Sequence, residues 1–337
     1  MKSHVINIGV IGCGAIGRDH IRRLHDLVPG AEVVACADYF QEAADKVAAQ
    51  YGIRAYASGE ELIAAPEVQA ILITSSDDSH AGYVLEGLKH GKYIFCEKPL
   101  ALNAADCEKI IEAELKHGKR LVQVGFMRRY DRGYAEMKRI IESGELGAPL
   151  MIHACHRNVS QGPGFKTEMG ITNVAIHELD ICRWLLGDEY KSAQVLKVRQ
   201  SSLSNKGYDN PQIVLLETQN GCRIDVEVQV ADGYGYDIQC QVVCEKGTIN
   251  LPDPYAVVKR ANATRSFPIL TDWKDRFIEA YDIEMTEWVK SVENGKLTGP
   301  SSWDGYVACV AGDALNNSRG KGVFLPVETI EKPELYR

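Results

Sequence analysis

Three short stretches of this 337-residue chain place chemically capable residues at spacings that matter. The first is GCGAIG, in which Gly12, Gly14 and Gly17 follow an apolar run ending at Ile11. Glycine at those positions permits a tight bend, close approach of backbone to a pyrophosphate, and close packing of the next helix on the strand. That helix starts with free N–H groups aimed at phosphate. The second is Asp38, 21 residues beyond Gly17 at the end of the next apolar run. A carboxylate there accepts hydrogen bonds from both hydroxyls of a ribose and repels a 2′-phosphate. No Arg follows it before Arg54, which favours NAD over NADP. The third is IFCEKPL, residues 94–100, where an apolar run stops at Glu97 and Lys98 and meets Pro99. In isolation such a pair reads as a surface turn. At the carboxyl end of a parallel strand it lies on the same rim as GCGAIG. Pro99 biases Lys98 toward extended backbone, and the ammonium can hold a substrate oxygen as hydride leaves the same carbon.

Those placements demand particular elements. Apolar runs at 5–11, 32–37, 68–74, 93–96 and 120–124 alternate with helical spacing at 15–27, 41–51, 79–90 and 104–117. Continuous apolar strands between amphipathic helices predict a parallel sheet covered on both faces. Residues 1–125 therefore read as a Rossmann dinucleotide-binding domain. After Gly125 the pattern changes. Helices are expected at 134–143, 171–186, 273–293 and 303–318, with strand patterns at 150–158 and through 191–250. The stretch IVLLETQNGCRIDVEVQV reads as a hairpin, with Asn220 and Gly221 supplying positive φ angles. Residues 126–337 read as an α+β domain for substrate binding and oligomerisation, built on a large, mostly antiparallel open sheet. The fold class is α/β.

Composition narrows the function. A net charge of −8 with no basic stripe argues against nucleic acid. No run of about 20 apolar residues exists to cross a membrane, and the N-terminal VINIGVIGCGAIG lacks a convincing cleavage site. The ten cysteines are scattered and read as reduced thiols of a cytoplasmic protein. Cys240 and Cys244 lack a second pair or a nearby His to complete a zinc site, so no metal is expected.

Strand alternation puts His156 and Asn158 on one face, and His153, Cys155 and Arg157 at positions of the other parity. Arg128 lies where the two patterns meet and is a candidate for reaching the substrate, whereas Arg129 and Arg132 read as a solvated helix start. His80, after TSSDDSH, is placed at the cofactor cleft. His4, His20, His25, His90 and His117 read as surface or packing residues. The cofactor rim is expected to comprise Gly12, Gly14, Ala15, Ile16, Gly17, Asp38, Tyr39, Thr74, Ser75, His80, Glu97 and Lys98.

The combination of GCGAIG, CEKPL and NVAIHELD resembles the glucose-fructose oxidoreductase/inositol dehydrogenase (Gfo/Idh/MocA) family. KRLVQVGFMRRYD, PLMIHACHRN, YGYDIQC and WDGY extend the likeness over essentially the whole chain. The resemblance implies NAD-dependent oxidation of a ring hydroxyl of a cyclic polyol, myo- or scyllo-inositol, to the ketone. It implies that His177 abstracts the hydroxyl proton and Lys98 holds the reacting oxygen. His156, Asn158 and Tyr236 fall at family positions near the polyol, while Tyr234 reads as packing. The residue four before the His, an Asp in the family, orients and charges it; here it is Asn173. Asn can accept a hydrogen bond from the imidazole but adds no charge to stabilise an imidazolium. Asp180, one turn after His177 on the same face, is the candidate substitute. The resemblance also implies a homotetramer formed through the exposed sheet face. Two other readings stay open: a dehydrogenase or reductase acting on sugars or glycosides, and an NAD-binding regulator without catalysis.

Overall fold

The computed structural model describes residues 5–162, 164–204, 207–254 and 257–337. By contacts the chain forms two compact units, one of residues 1–126, 281–309 and 329–337, the other of 127–280 and 310–328.

In the first unit, strands β1 (Ile6–Ile11), β2 (Ala31–Ala37), β3 (Arg54–Ala55), β4 (Ala70–Ile73), β5 (Tyr93–Glu97) and β6 (Val122–Gly125) form one sheet in the order β3-β2-β1-β4-β5-β6. Every pairing is parallel. Helices α1 (Ala15–Asp26), α2 (Gln41–Tyr51), α3 (Gly59–Ala64), α4 (His80–Lys89) and α5 (Ala104–Leu115) connect them. All four residues of β4 are buried, as a strand covered on both faces requires. The short β3 and α3 carry too few residues to show a period. α3 is capped by Ser58, whose hydroxyl accepts from the Glu61 N–H at 3.2 Å.

The sequence places its change of pattern after residue 125 but gives no sign that 281–309 and 329–337 pack with the first unit. The reason lies in α8 (Trp273–Glu293): Met285, Trp288, Val289 and Val292 bury themselves in one core with Ile6, Ile8, Val10 and Phe95. An amphipathic pattern shows that a helix buries a face without showing against what.

The second unit carries α6 (Arg132–Ser143), β7 (Pro149–Arg157), α7 (Ile176–Leu186), β8 (Tyr190–Lys197), β9 (Gln212–Thr218), β10 (Arg223–Gln229), β11 (Asp237–Cys244), β12 (Gly247–Asn250) and β15 (Leu325–Pro326). A hairpin of β13 (Lys259–Ala261) and β14 (Thr264–Ser266) stands apart, and α9 (Ser302–Ser318) follows α8. The large sheet runs β12-β11-β7-β10-β9-β8-β15, antiparallel except where β7 pairs with β10. Along β7, Ile152, Ala154 and His156 are buried while Met151 and His153 are exposed. The β9–β10 hairpin differs from the expected turn. Only Gly221 has a positive φ, 87°, and the Thr218 N–H bonds to the Cys222 carbonyl at 3.0 Å across a three-residue loop. Such a loop needs one left-handed residue after a type I turn, so Asn220 stays in ordinary space. Among the described residues no helix is long and apolar enough to cross a membrane.

Candidate active site

Register builds the dinucleotide rim of the first unit. Ile11 pairs with Ile73, and Ile73 with Cys96, so Gly12, Thr74 and Glu97 leave the sheet side by side at its carboxyl edge. Gly12 has φ +104°, and a Cβ there would lie 2.5 Å from the Thr74 carbonyl. A Cβ on Gly17 would lie 1.9 Å from the Gly12 oxygen, so the helix can approach the turn only as glycine. Gly14 faces open space, which leaves the start of α1 accessible to a phosphate. Ala15 is exposed and Ile16 half-buried in the first turn of that helix.

A cleft of about 750 Å³ opens at this edge, lined by Gly12, Gly14, Arg18, Asp38, Tyr39, Ser75 and Tyr83 among others. Asp38 is fixed in place: one carboxylate oxygen accepts from the Cys13 N–H at 2.6 Å, the other from the Phe40 N–H at 2.9 Å. Tyr39 is 95% exposed beside it. The open phosphate approach, the oriented carboxylate and the cleft size all fit a dinucleotide. Arg18 was not foreseen. A basic residue directly after GCGAIG was the available signal, and its guanidinium is anchored on the Cys13 carbonyl at 3.1 Å.

Other rim residues face inward. Thr74 is buried with its hydroxyl donating to the Gly12 oxygen at 2.8 Å, and the Ser75 hydroxyl meets that of Ser79 at 2.6 Å. The buried His80 ring spans the Pro99 and Ser75 carbonyls at 2.7 and 3.2 Å, tying two loops of the rim together. Glu97 is buried, one oxygen 2.9 Å from His20 Nε2 and the other accepting from the Lys98 N–H at 3.2 Å. Lys98 is half-buried at the end of β5, ahead of a cis Lys98–Pro99 bond.

The second unit gathers the other candidates. α7 is buried on all sides from Ile176 to Arg183. It is preceded by a π-helical turn, Gly170–Ala175, which carries the half-buried Asn173 one turn ahead of His177; such turns recur at functional sites. The His156 ring lies 6.1 Å from His177 and 5.8 Å, edge to face, from Tyr236. Asn158 continues the strand path, its N–H on the Gln229 carbonyl at 2.8 Å, and is half-buried.

Behind these side chains lies a buried ion pair that the sequence reading missed. Arg128 donates to Glu178 Oε1, and both side chains are 1% exposed. His156 Nδ1 stands 2.9 Å from Glu178 Oε2 and 3.1 Å from Arg128 Nη2. Nδ1 thus faces both a carboxylate, which accepts, and a guanidinium, which only donates, so this pair of neighbours holds the ring in place without fixing its tautomer. Burial alone would raise the Glu178 carboxyl, but Arg128 and His156 overcome this and hold it below its ordinary value. Arg128 therefore backs the site. The only signal for Glu178 was a carboxylate beside His177 within an apolar helix.

Two expectations need correction. Arg129 is not on a solvated helix start: it is 12% exposed and chelates Asp180, Nε to Oδ2 at 2.9 Å, with a second bond from Nη2 to Oδ1. Arg132 is 78% exposed, as a solvated helix start requires. Tyr234 is half exposed, its hydroxyl bonded to Asp237 at 2.6 Å and to Arg157 at 3.2 Å, in a polar network and not a packed one.

The buried pair yields a stability prediction. Glu178→Gln strands the Arg128 charge and is expected to cost about 3–5 kcal/mol at neutral pH. Because the folded carboxyl sits low, its contribution is present above the unfolded value, about pH 4.3, and lost as pH falls through the folded value. Urea melts of both proteins at pH 7 and pH 3.5 check this: the gap between them should shrink in acid. An equal gap at both pH values would contradict the linkage.

Comparisons with known proteins agree along the chain. A profile described as "Oxidoreductase family, NAD-binding Rossmann fold" matches residues 6–126, and one described as "Oxidoreductase family, C-terminal alpha/beta domain" matches 138–329. An inositol 2-dehydrogenase of Burkholderia cenocepacia is 52% identical over 334 residues, covering 98% of this chain and 99% of that one. One from Serratia proteamaculans is 50% identical over 333 residues, with the same shares. A crystal structure of myo-inositol dehydrogenase from Lactobacillus casei, in complex with NAD(H) and myo-inositol, superposes with TM-score 0.96 at 37% identity. It covers 99% of this chain and 100% of its own. With a Rossmann unit built to receive a dinucleotide and both family profiles matched, the chain belongs to the Gfo/Idh/MocA family of NAD-dependent oxidoreductases.

Proposed function

We propose that the protein is an NAD-dependent inositol 2-dehydrogenase, oxidising a ring hydroxyl of an inositol to the ketone. The observation that carries this reading is end-to-end similarity to inositol 2-dehydrogenases at 52% identity. NAD, when bound, supplies the acceptor for the hydride that leaves the ring carbon. Gly12, Gly14 and Gly17 admit its pyrophosphate, and Asp38 takes the ribose hydroxyls. Lys98 holds the reacting oxygen with its ammonium and favours the alkoxide as the carbon loses hydride. His177 receives the hydroxyl proton, so the carbon gives up one hydride and the oxygen one proton. His156, through Nε2, together with Asn158 and Tyr236 binds the remaining hydroxyls. Arg128 and Glu178 fix His156 from behind, and Asn173 orients His177. The substrate is a small polyol, and the assembly in this reading is a cytoplasmic homotetramer. The exposed Leu150 and Met151 on the open sheet face support that assembly; sedimentation of the purified protein tests it.

Assays of NADH formation on a panel of inositols and hexoses test the substrate. Turnover on myo- or scyllo-inositol should exceed that on any hexose. A preference for a hexose would transfer the reading to sugar oxidation, and no turnover on any member would favour a regulator. Asp38→Ala should weaken NAD binding and narrow the gap to NADP, measured by calorimetry with both. A wild-type protein that prefers NADP would remove Asp38 from its role.

A further inference from the structure

Glu97 is a buried carboxylate, one residue from Lys98, whose surroundings form a chain of defined donors and acceptors. His20, on α1, is fully buried, with Nε2 2.9 Å from Glu97 Oε1. Its Nδ1 lies 3.2 Å from Arg23 Nη1. A guanidinium has donors only, so Nδ1 must accept, and the ring proton sits on Nε2, pointing at Glu97. Arg23 is itself 1% exposed and fixed from two sides, Nε on Asp282 at 2.5 Å and Nη2 on Asp19 at 2.9 Å. The Phe95 and Tyr281 rings pack edge-on to His20 at 6.0 and 5.5 Å, so the imidazole has little room to turn. Behind Glu97, a Cβ on Gly125 would lie 3.0 Å from the carboxyl carbon. The remaining oxygen of Glu97 takes the Lys98 N–H.

We propose that Arg23, His20 and Glu97 form a positioning relay for Lys98. Asp19 and Asp282 clamp Arg23, Arg23 sets the tautomer of His20, His20 pins Glu97, and Glu97 holds the backbone from which the ammonium projects. Keeping two buried charges and a buried imidazole in one line is costly unless every member is bonded, and here each link is. The relay joins α1, which opens at the dinucleotide turn, to the strand end that carries Lys98. It rests on the role given above to Lys98.

The test uses the whole protein with NAD and myo-inositol. Glu97→Gln keeps the volume but removes the charge, and His20→Leu keeps apolar packing but removes both ring nitrogens. Each is expected to lower kcat by about a hundredfold, the cost of a displacement near 1 Å at a reacting group, while the Kd for NAD changes less than about twofold on the same argument that only Lys98 moves. His20→Gln, with one donor and one acceptor on its amide, should recover most of the loss. Wild-type kcat in Glu97→Gln overturns the proposal, as does loss of NAD affinity in parallel with kcat, or a His20→Gln no better than His20→Leu. Should His20→Leu fail to fold, Glu97→Gln decides alone. Lys98→Ala assayed alongside separates the two claims. Turnover surviving it removes the role of Lys98 itself, whereas turnover lost in it but kept in Glu97→Gln removes the relay.

Discussion

Lys98→Ala is expected to lower kcat by roughly 10²–10⁴-fold, the range for losing a positioned acid–base group or a donor to a developing oxyanion. The Kd for NAD should stay nearly unchanged by calorimetry, because the glycine turn and Asp38, which hold the dinucleotide in this reading, are untouched. Lys98 leaves the sheet at the end of β5, level with the Gly12 turn by register. Lys98→Arg keeps the charge but spreads it over a planar fork, so it should recover little. Turnover within a few-fold of wild type in Lys98→Ala would return the EKP turn to a structural one.

Asn173→Asp should act in the opposite direction. The segment before α7 carries Asn173 one turn ahead of His177, where the family resemblance implies an Asp. In the proposed mechanism, a carboxylate at 173 would stabilise the imidazolium formed as His177 takes the hydroxyl proton. Turnover on inositol is expected to rise by about tenfold to a hundredfold, or about 1.4–2.8 kcal/mol in the barrier. The sign of the pH effect follows. His177 accepts a proton only when neutral, and a nearby negative charge favours its protonated form, so the acid limb of the pH–rate profile should move to higher pH. A fall in turnover on inositol, coupled with strong activity on another sugar, would mean that the site is adapted to Asn173. Equal rates at every pH would make Asn173 a bystander.

The sequence by itself determined the features whose cause is local. A buried parallel strand is a continuous apolar run, as in AILI of β4, and the glycines of GCGAIG are dictated by sterics within one turn, where Gly17 meets the Gly12 oxygen. Asp38 and Lys98 could be placed at the carboxyl edge of the sheet because each directly follows such a strand. Parity put His156 and Asn158 on one face of their strand, and the structure buries His156 on that face of β7.

Tertiary structure decided what depends on partners far along the chain. Arg129 looks solvated in MRRYDR until Asp180, 51 residues on, is brought against it. Glu178 and Arg128 are 50 residues apart and His20 and Glu97 are 77 apart, so no helical or strand period links them. The return of 281–309 to the first core is of the same kind, since Trp288 announces a buried face without naming the strands that bury it. Periodicity reports which side of an element avoids water, over neighbours three or four residues away. A charge stays buried only if a specific partner meets it, and that meeting is a property of the folded chain.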